Sequence, residues 1–206
     1  MKQRNIIILA VIVLLIVIVF YSFNSSQTDP SYVEEIRKER EEKDRFMKTS
    51  KESPLPEAER ENFKGLKYFT ADSKYKIIAN LIPVESKKVV VLSTSDGKEQ
   101  RCIEYAHATF SLDGVKNDLL ILEIIDMGPS RGKLFLAFGD ETNADETYGA
   151  GRYLDVAKVP GSSTITLDFN RAYNPYCAYN DSFSCPFPPK ENLLKIAIKA
   201  GEKTYH

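Results

Sequence analysis

Histidine, cysteine and tryptophan are scarce in this 206-residue chain, which has two His, three Cys and no Trp. A structural zinc site with four His or Cys ligands would need nearly all of these scattered residues, so no metal centre is expected. An excess of positive charge is also missing. Lys and Arg number 28 against 29 Asp and Glu, a net charge of −1, and without Lys2 and Arg4 the remainder is more acidic still. Nucleic-acid binding through a basic face is therefore disfavoured. The chain shows no internal repeat, heptad array or low-complexity tract, which argues against solenoids and propellers. What remains is enough for one globular domain plus appendages.

One long apolar run is present. Residues 6–23 carry no charge and, at about 1.5 Å per residue, span roughly 27 Å as a helix, close to the thickness of a bilayer core. A cleaved signal peptide is the competing reading, but the run is long and leads into Phe20-Tyr21-Ser22-Phe23-Asn24 without an Ala-x-Ala cleavage pattern. Lys2 and Arg4 before it and Tyr21 and Phe23 at its far end fit a single-pass anchor with a cytoplasmic N-terminus and an extracytoplasmic C-terminal domain. The chain thus divides into an anchor (1–24), a linker with a charged helix (25–52) and a β-rich domain (53–206). Asp29 or Ser31 is placed to cap the helix. Its apolar side is thin (Tyr32, Ile36, Phe46, Met47), which suggests a solvated helix lying over one flank of the domain. Ser53-Pro54-Leu55-Pro56 ends it.

The body alternates with a period of two. Tyr75, Ile77, Ala79 and Leu81 form one face of a strand, and further strands are expected at 88–93, 100–112, 119–125, 133–138 and 193–199. Residues 119–125 are apolar almost throughout, as in a central strand covered on both faces. The fold class is mainly β: a single antiparallel domain, barrel- or roll-like, preceded by a transmembrane helix and a charged α-helix.

Three blocks stand out. They are Thr147-Tyr148-Gly149-Ala150-Gly151-Arg152-Tyr153-Leu154-Asp155, then Leu167-Asp168-Phe169-Asn170-Arg171-Ala172-Tyr173-Asn174-Pro175, and Cys185-Pro186-Phe187-Pro188-Pro189-Lys190-Glu191-Asn192, with Ala200-Gly201-Glu202-Lys203 near the end. Together they resemble the bacterial and archaeal domain-of-unknown-function family 1684, from about Ser53 to the C-terminus. The resemblance implies a single domain, often exported or membrane-anchored, and no established activity.

The chemistry must then be argued from the residues. Gly149 and Gly151 leave room for a ligand or another backbone to approach, and Arg152 can grip an anion in two prongs. The Gly-x-Gly pattern lacks the third Gly of a dinucleotide signature, and no cofactor is implied. The alternative is a tight bend with Arg152 paired internally to Asp155 or Asp168. Asp168, Asn170 and Asn174 can orient a ligand or fix an irregular loop. The leading expectation is a small anionic or polar ligand in a cleft, with Arg152 and Arg171 as counter-charges, Asp168, Asn170 and Asn174 as orienting groups, and Tyr148 and Tyr173 as walls. A second is an extracytoplasmic hydrolase or lyase using Asp168 as its catalytic acid or base beside Arg152. A third is an envelope scaffold acting through the charged helix. Cys177 and Cys185 are close enough in sequence for a disulfide staple, with a redox pair or a nucleophilic Cys as alternatives. Cys102 is assigned to the core. His107 reads as a packed strand residue. Asp140, Glu141, Asp145 and Glu146 lie in a turn-rich segment that lacks the pattern of a helical calcium loop.

Overall fold

The computed structural model describes residues 28–158 and 160–206. The expected anchor at residues 6–23 lies outside them. Among the described residues, no helix is long and apolar enough to cross a membrane.

Helix α1 (Pro30–Thr49) starts where the Asp29 carboxylate accepts the Ser31 N–H at 2.9 Å, with Pro30 supplying the fixed φ of a first helical turn. Its buried residues are Tyr32, Ile36 and Met47. The polar stripe at Glu35, Glu39 and Lys43 also faces protein, meeting Arg171 and Glu202. The helix is therefore docked through charge as well as through apolar contact, and is less solvated than its composition suggests. A short helix α2 (Glu57–Arg60) closes the following turn. Arg60 donates from there to the carbonyls of Ser50, Leu55 and Ser53 at 2.9, 2.9 and 3.2 Å.

The main sheet contains β1 (Lys76–Pro83), β2 (Val89–Ser93), β3 (Glu99–Leu112), β4 (Val115–Ile124), β5 (Leu134–Phe135) and β8 (Thr164–Asp168), paired antiparallel in the order β5-β4-β3-β1-β8. A small second sheet pairs β6 (Ala137–Phe138) with β7 (Arg152–Tyr153). The barrel expectation is corrected here: among the described strands the sheet stays open, because β5 and β8 at its two ends do not pair. One edge of the long β3 is instead shared between two strands. β2 pairs with Glu99–Ile103, and β1 pairs with Ala106–Thr109.

A bulge lies between these two halves, at the register shift between Glu104 and Ala106. The extra residue reverses the alternation of the strand. Ala106, Ala108, Phe110 and Leu112 join Leu119, Ile121, Phe138 and Phe169 in the larger core, whereas Cys102 joins Leu92, Leu120 and Leu122 in a smaller one on the other face. β4 is thus buried on both sides, as its apolar run implies. Cys102 is fully buried, and burial pushes its thiol up to about 11.

Two of the expected strands differ. Residues 133–138 split at Leu136 into β5 and β6, which belong to different sheets. Residues 193–199 form no regular strand. Leu193 makes a single parallel bridge to Gly139, and the Ile198 carbonyl is taken by a side chain, Arg152, rather than by a ladder partner.

Asn192 supplies a strand edge that the backbone does not. Beyond β5, its amide accepts the Leu120 N–H at 2.7 Å and donates to the carbonyls of Leu120 and Ala137 at 2.9 and 2.8 Å. It thus mimics a neighbouring strand and ties the two sheets together. Replacing Asn192 with Leu orphans one buried N–H and two carbonyls, and should cost about 2 to 4 kcal/mol in urea unfolding. A loss below about 1 kcal/mol would show that the edge finds other partners.

Candidate functional site

The sequence-predicted residues Arg152, Asp168, Asn170, Arg171 and Asn174 fall into three networks. Arg152, at the start of β7, is 0% exposed. Its guanidinium donates to Asp140 at 2.8 Å, to the Ile198 carbonyl at 2.9 Å, to the Glu202 carbonyl at 3.2 Å and to the Ala200 carbonyl. Its partner is therefore Asp140, rather than Asp155 or Asp168. The Asp140 carboxylate also accepts from the Thr142 N–H at 2.9 Å and hydroxyl at 2.6 Å, and from the Ile198 N–H at 3.2 Å. The space at Gly151 is filled as well. Its φ is +91°, and a Cβ there would lie 2.6 Å from Pro188 Cγ and 2.7 Å from the Phe138 carbonyl oxygen. The expectation that Arg152 faces a ligand is corrected: the glycines admit protein, and the guanidinium clamps the C-terminal segment.

The second network joins the end of β8 to α1. Asp168 accepts from the Tyr32 hydroxyl at 2.7 Å, from the Asn170 N–H and amide at 3.2 Å each, and from Arg171 at 2.5 Å. Arg171 also reaches Glu39 at 2.8 Å through two nitrogens, and Glu35. These carboxylates hold its guanidinium well above the usual range, with the Glu39 hydrogen bonds the largest cause. Asn170 makes a two-way pair with the backbone of Asp72, at 2.9 and 2.8 Å. Asp168 and Arg152 thus serve different networks, which removes the geometry assumed for the hydrolase or lyase expectation.

Glu202 centres the third. Fully buried, it accepts from Lys43 at 2.8 Å, from the Asn174 amide at 2.9 Å and backbone N–H at 3.3 Å, and from the Tyr179 hydroxyl. Burial, reinforced by the Glu202 carboxylate, pushes the Tyr179 phenol far above its ordinary range. Asn174 is therefore a structural anchor for the C-terminal segment.

Open space lies beside these networks, between α1 and the loop after β8. A cavity of about 620 Å³ is walled by Phe46, Tyr153, Tyr173, Tyr176, Phe183 and Pro186, with Glu42, Lys43, Asp155 and Cys185 at its polar points. An adjoining cavity of about 250 Å³ is lined by Arg40, Tyr68, Asn170 and Arg171. Lys43, Asp155 and Tyr173 line both. Of the residues expected from the sequence to hold a ligand, Tyr173, Asn170 and Arg171 reach this groove. Tyr173 donates to Asp155 at 2.8 Å, and Lys43 sits 4.7 Å from its ring centre.

Arg40 is the groove residue that sequence reasoning missed, because it looks like any other member of a charge run. It donates to the carbonyls of Phe69 and Asn170 at 2.9 and 3.3 Å and lies 4.4 Å from the centre of the Tyr68 ring. Among the described residues, no carboxylate pairs with it. Its Nε and the Tyr68 hydroxyl are both buried without a partner. Burial lowers the Arg40 pKa and raises that of Tyr68.

Residues 61–203 match the family described as "Protein of unknown function (DUF1684)". The chain belongs to the DUF1684 family. Similar to this DUF1684 chain, at 39% identity and a TM-score of 0.65, is the solution NMR structure of an uncharacterised protein from Haloarcula marismortui. The match covers 85% of this chain and 97% of that one. No curated protein matches the chain significantly.

In this DUF1684 domain Cys177 and Cys185 are adjacent free thiols, with the Cys177 N–H donating to Cys185 Sγ at 3.2 Å. Tyr148 places its hydroxyl 3.8 Å from Cys177 Sγ, and so belongs to the cysteine corner rather than to the groove. The hydrogen bond from Cys185 draws the Cys177 thiol down to about 6, against the effect of burial, with Tyr148 and Ser95 assisting, while Cys185 is pushed up. His107 pairs with Asp118 at 2.9 Å on a half-exposed part of β3. Glu146, from the acidic turn, pairs with Lys199 at 2.7 Å, and among the described residues no cluster of His, Cys, Asp and Glu is arranged to hold a metal ion.

Two outcomes follow. Arg152→Ala leaves a buried Asp140 uncompensated and should cost about 3 to 5 kcal/mol, whereas Arg171→Ala, at a part-exposed cluster, should cost about 1 kcal/mol in denaturant unfolding. Equal losses would contradict this division of roles. Ultraviolet titration of the reduced protein should show one thiolate forming near pH 6 and Cys102 ionising only near pH 11. The absence of any thiolate step below pH 8 would rule out the low-pKa cysteine.

Proposed function

We propose that this protein is a membrane-tethered extracytoplasmic binding module that holds a small anionic ligand at the Arg40 end of the groove. The tether rests on residues 6–23, whose length, uncharged composition, preceding Lys2 and Arg4, and Tyr21 and Phe23 at the far end suit a single-pass anchor. On the outer side of a membrane, the adjacent thiols of Cys177 and Cys185 are positioned to be oxidised to a local disulfide.

The observation that carries the anion site is Arg40 itself. A part-buried guanidinium whose hydrogen bonds go only to neutral carbonyls has no carboxylate in direct contact, with Glu39 and Asp168 acting on it only at longer range, and an anion would relieve the cost of its burial. Its Nε and the Tyr68 hydroxyl beside it are buried without a partner in the protein, so the polar groups around this guanidinium are not satisfied by the fold alone. Asn170, Arg171 and Tyr173 line the same cavity, so part of the sequence-based cleft is retained with Arg40 in place of Arg152 as the counter-charge. Asp168 stays behind this wall, with its oxygens occupied by Tyr32, Asn170 and Arg171.

The test is thermal unfolding of the full chain in lipid nanodiscs, titrated with acetate and separately with inorganic phosphate at constant ionic strength. Anions should raise the melting temperature saturably in the wild type and in Arg40→Lys, and at least tenfold more weakly in Arg40→Gln. An identical response of Arg40→Gln and wild type would reject the site.

A further inference from the structure

The Arg40 end is the smaller part of the groove. On the other side of Lys43, Asp155 and Tyr173, which line both, lies the larger cavity, whose surface is mostly ring and chain carbon. Tyr176 and Phe183 there form an edge-to-face pair with centroids 5.2 Å apart, yet Tyr176 remains 37% exposed. These are large apolar surfaces left partly open to solvent inside a concave site of ligand size.

The charges in the groove define what fits. Lys43 is consumed by Glu202 and by the face of Tyr173, so the waist between the cavities presents little free positive charge. Arg171 is surrounded by Glu35, Glu39 and Asp168. Arg40 thus remains the one groove cation without a carboxylate partner among the described residues, a counter-charge for one negative charge. Asp155 at the waist and Glu42 at the outer cavity repel a second.

We infer that the ligand is a monoanionic amphiphile, a carboxylate carrying an acyl chain, with its head at Arg40 and Tyr68 and its chain running past Tyr173 into the pocket of Phe46, Tyr176 and Phe183. This rests on the reading of Arg40 as the anion site and extends it to the chemistry of the whole ligand. The head is held by a charge-assisted hydrogen bond, and the chain gains from burial against rings. The competing occupant is an amphiphilic cation, drawn to the aromatic faces and the rim carboxylates Glu42 and Asp155.

The experiment uses the full chain in nanodiscs, a photoreactive diazirine fatty acid, and peptide mapping of the crosslinks. Crosslinks should concentrate on the segments containing Phe46 and residues 176–183. Decanoate should compete with the probe at least 100-fold more effectively than acetate. That ratio equals about 2.7 kcal/mol, or three to four buried methylenes at roughly 0.8 kcal/mol each. Phe183→Asp should lose decanoate competition while keeping the acetate and phosphate response of the melting temperature, and Arg40→Gln should lose both. Equal competition by acetate and decanoate, with the Arg40→Gln effect intact, would overturn the amphiphile and leave the anion site standing. Arg40→Gln behaving as wild type in both assays would remove the anion site itself. Competition by decyltrimethylammonium equal to or better than that by decanoate would reverse the sign of the ligand and reject the proposal.

Discussion

The fold depends on one buried cation. Arg152 takes up the carbonyls of Ile198, Ala200 and Glu202 and the carboxylate of Asp140, and so substitutes for a missing strand along the C-terminal segment. A guanidinium suits this role because its donors lie in a rigid planar fork and stay charged even when burial lowers the pKa. The clamp fixes where Glu202 emerges, and Glu202 in turn holds Lys43 of α1, Asn174 and Tyr179. Gly201 is needed between them: at φ +75°, a Cβ would stand 2.6 Å from the Ala172 carbonyl oxygen. One of the contacts that seat α1 over the groove, Lys43 with Glu202, thus descends from that side chain, beside the separate hold of Asp168 and Arg171 on the same helix.

This arrangement gives the groove two kinds of wall. One is rigid and polar, built from networks whose donors and acceptors are largely satisfied within the protein. The other is aromatic and only half covered. Arg40 lies between them, attached to neutral carbonyls while the charges around it are paired. On the proposed reading, this placement of one cation without a carboxylate contact next to a broad apolar surface would separate the recognition of a head group from the burial of a body.

Local patterns in the sequence were legible. Alternation located β1, β2, β3 and β4, the apolar run of β4 implied cover on both faces, and Asp29, one of the two cap candidates, is the residue that caps α1. The open topology was not legible, because it turns on which strands meet across the chain: β1 and β2 share one edge of β3, and β5 and β8 at the two ends do not pair. The roles of the marked blocks were half legible. Their glycines, arginines and asparagines were recognised as special, but whether they face a ligand or the chain depends on partners far away in sequence. Arg171 meets Glu35 across 136 positions, and Lys43 meets Glu202 across 159. No periodicity reports such pairings, so a helix that reads as solvated turns out to hold one side of the groove.

The Asn192 side chain has a further consequence for the behaviour of the molecule in solution. Where β5 stops, β4 would expose a hydrogen-bonding edge at Leu120, within one of the most apolar stretches of the sheet. An amide that both donates to and accepts from that backbone occupies the groups through which a second chain would add as a strand. One asparagine therefore acts as a barrier to self-association, guarding an apolar strand against amyloid-like pairing without spending residues on another strand.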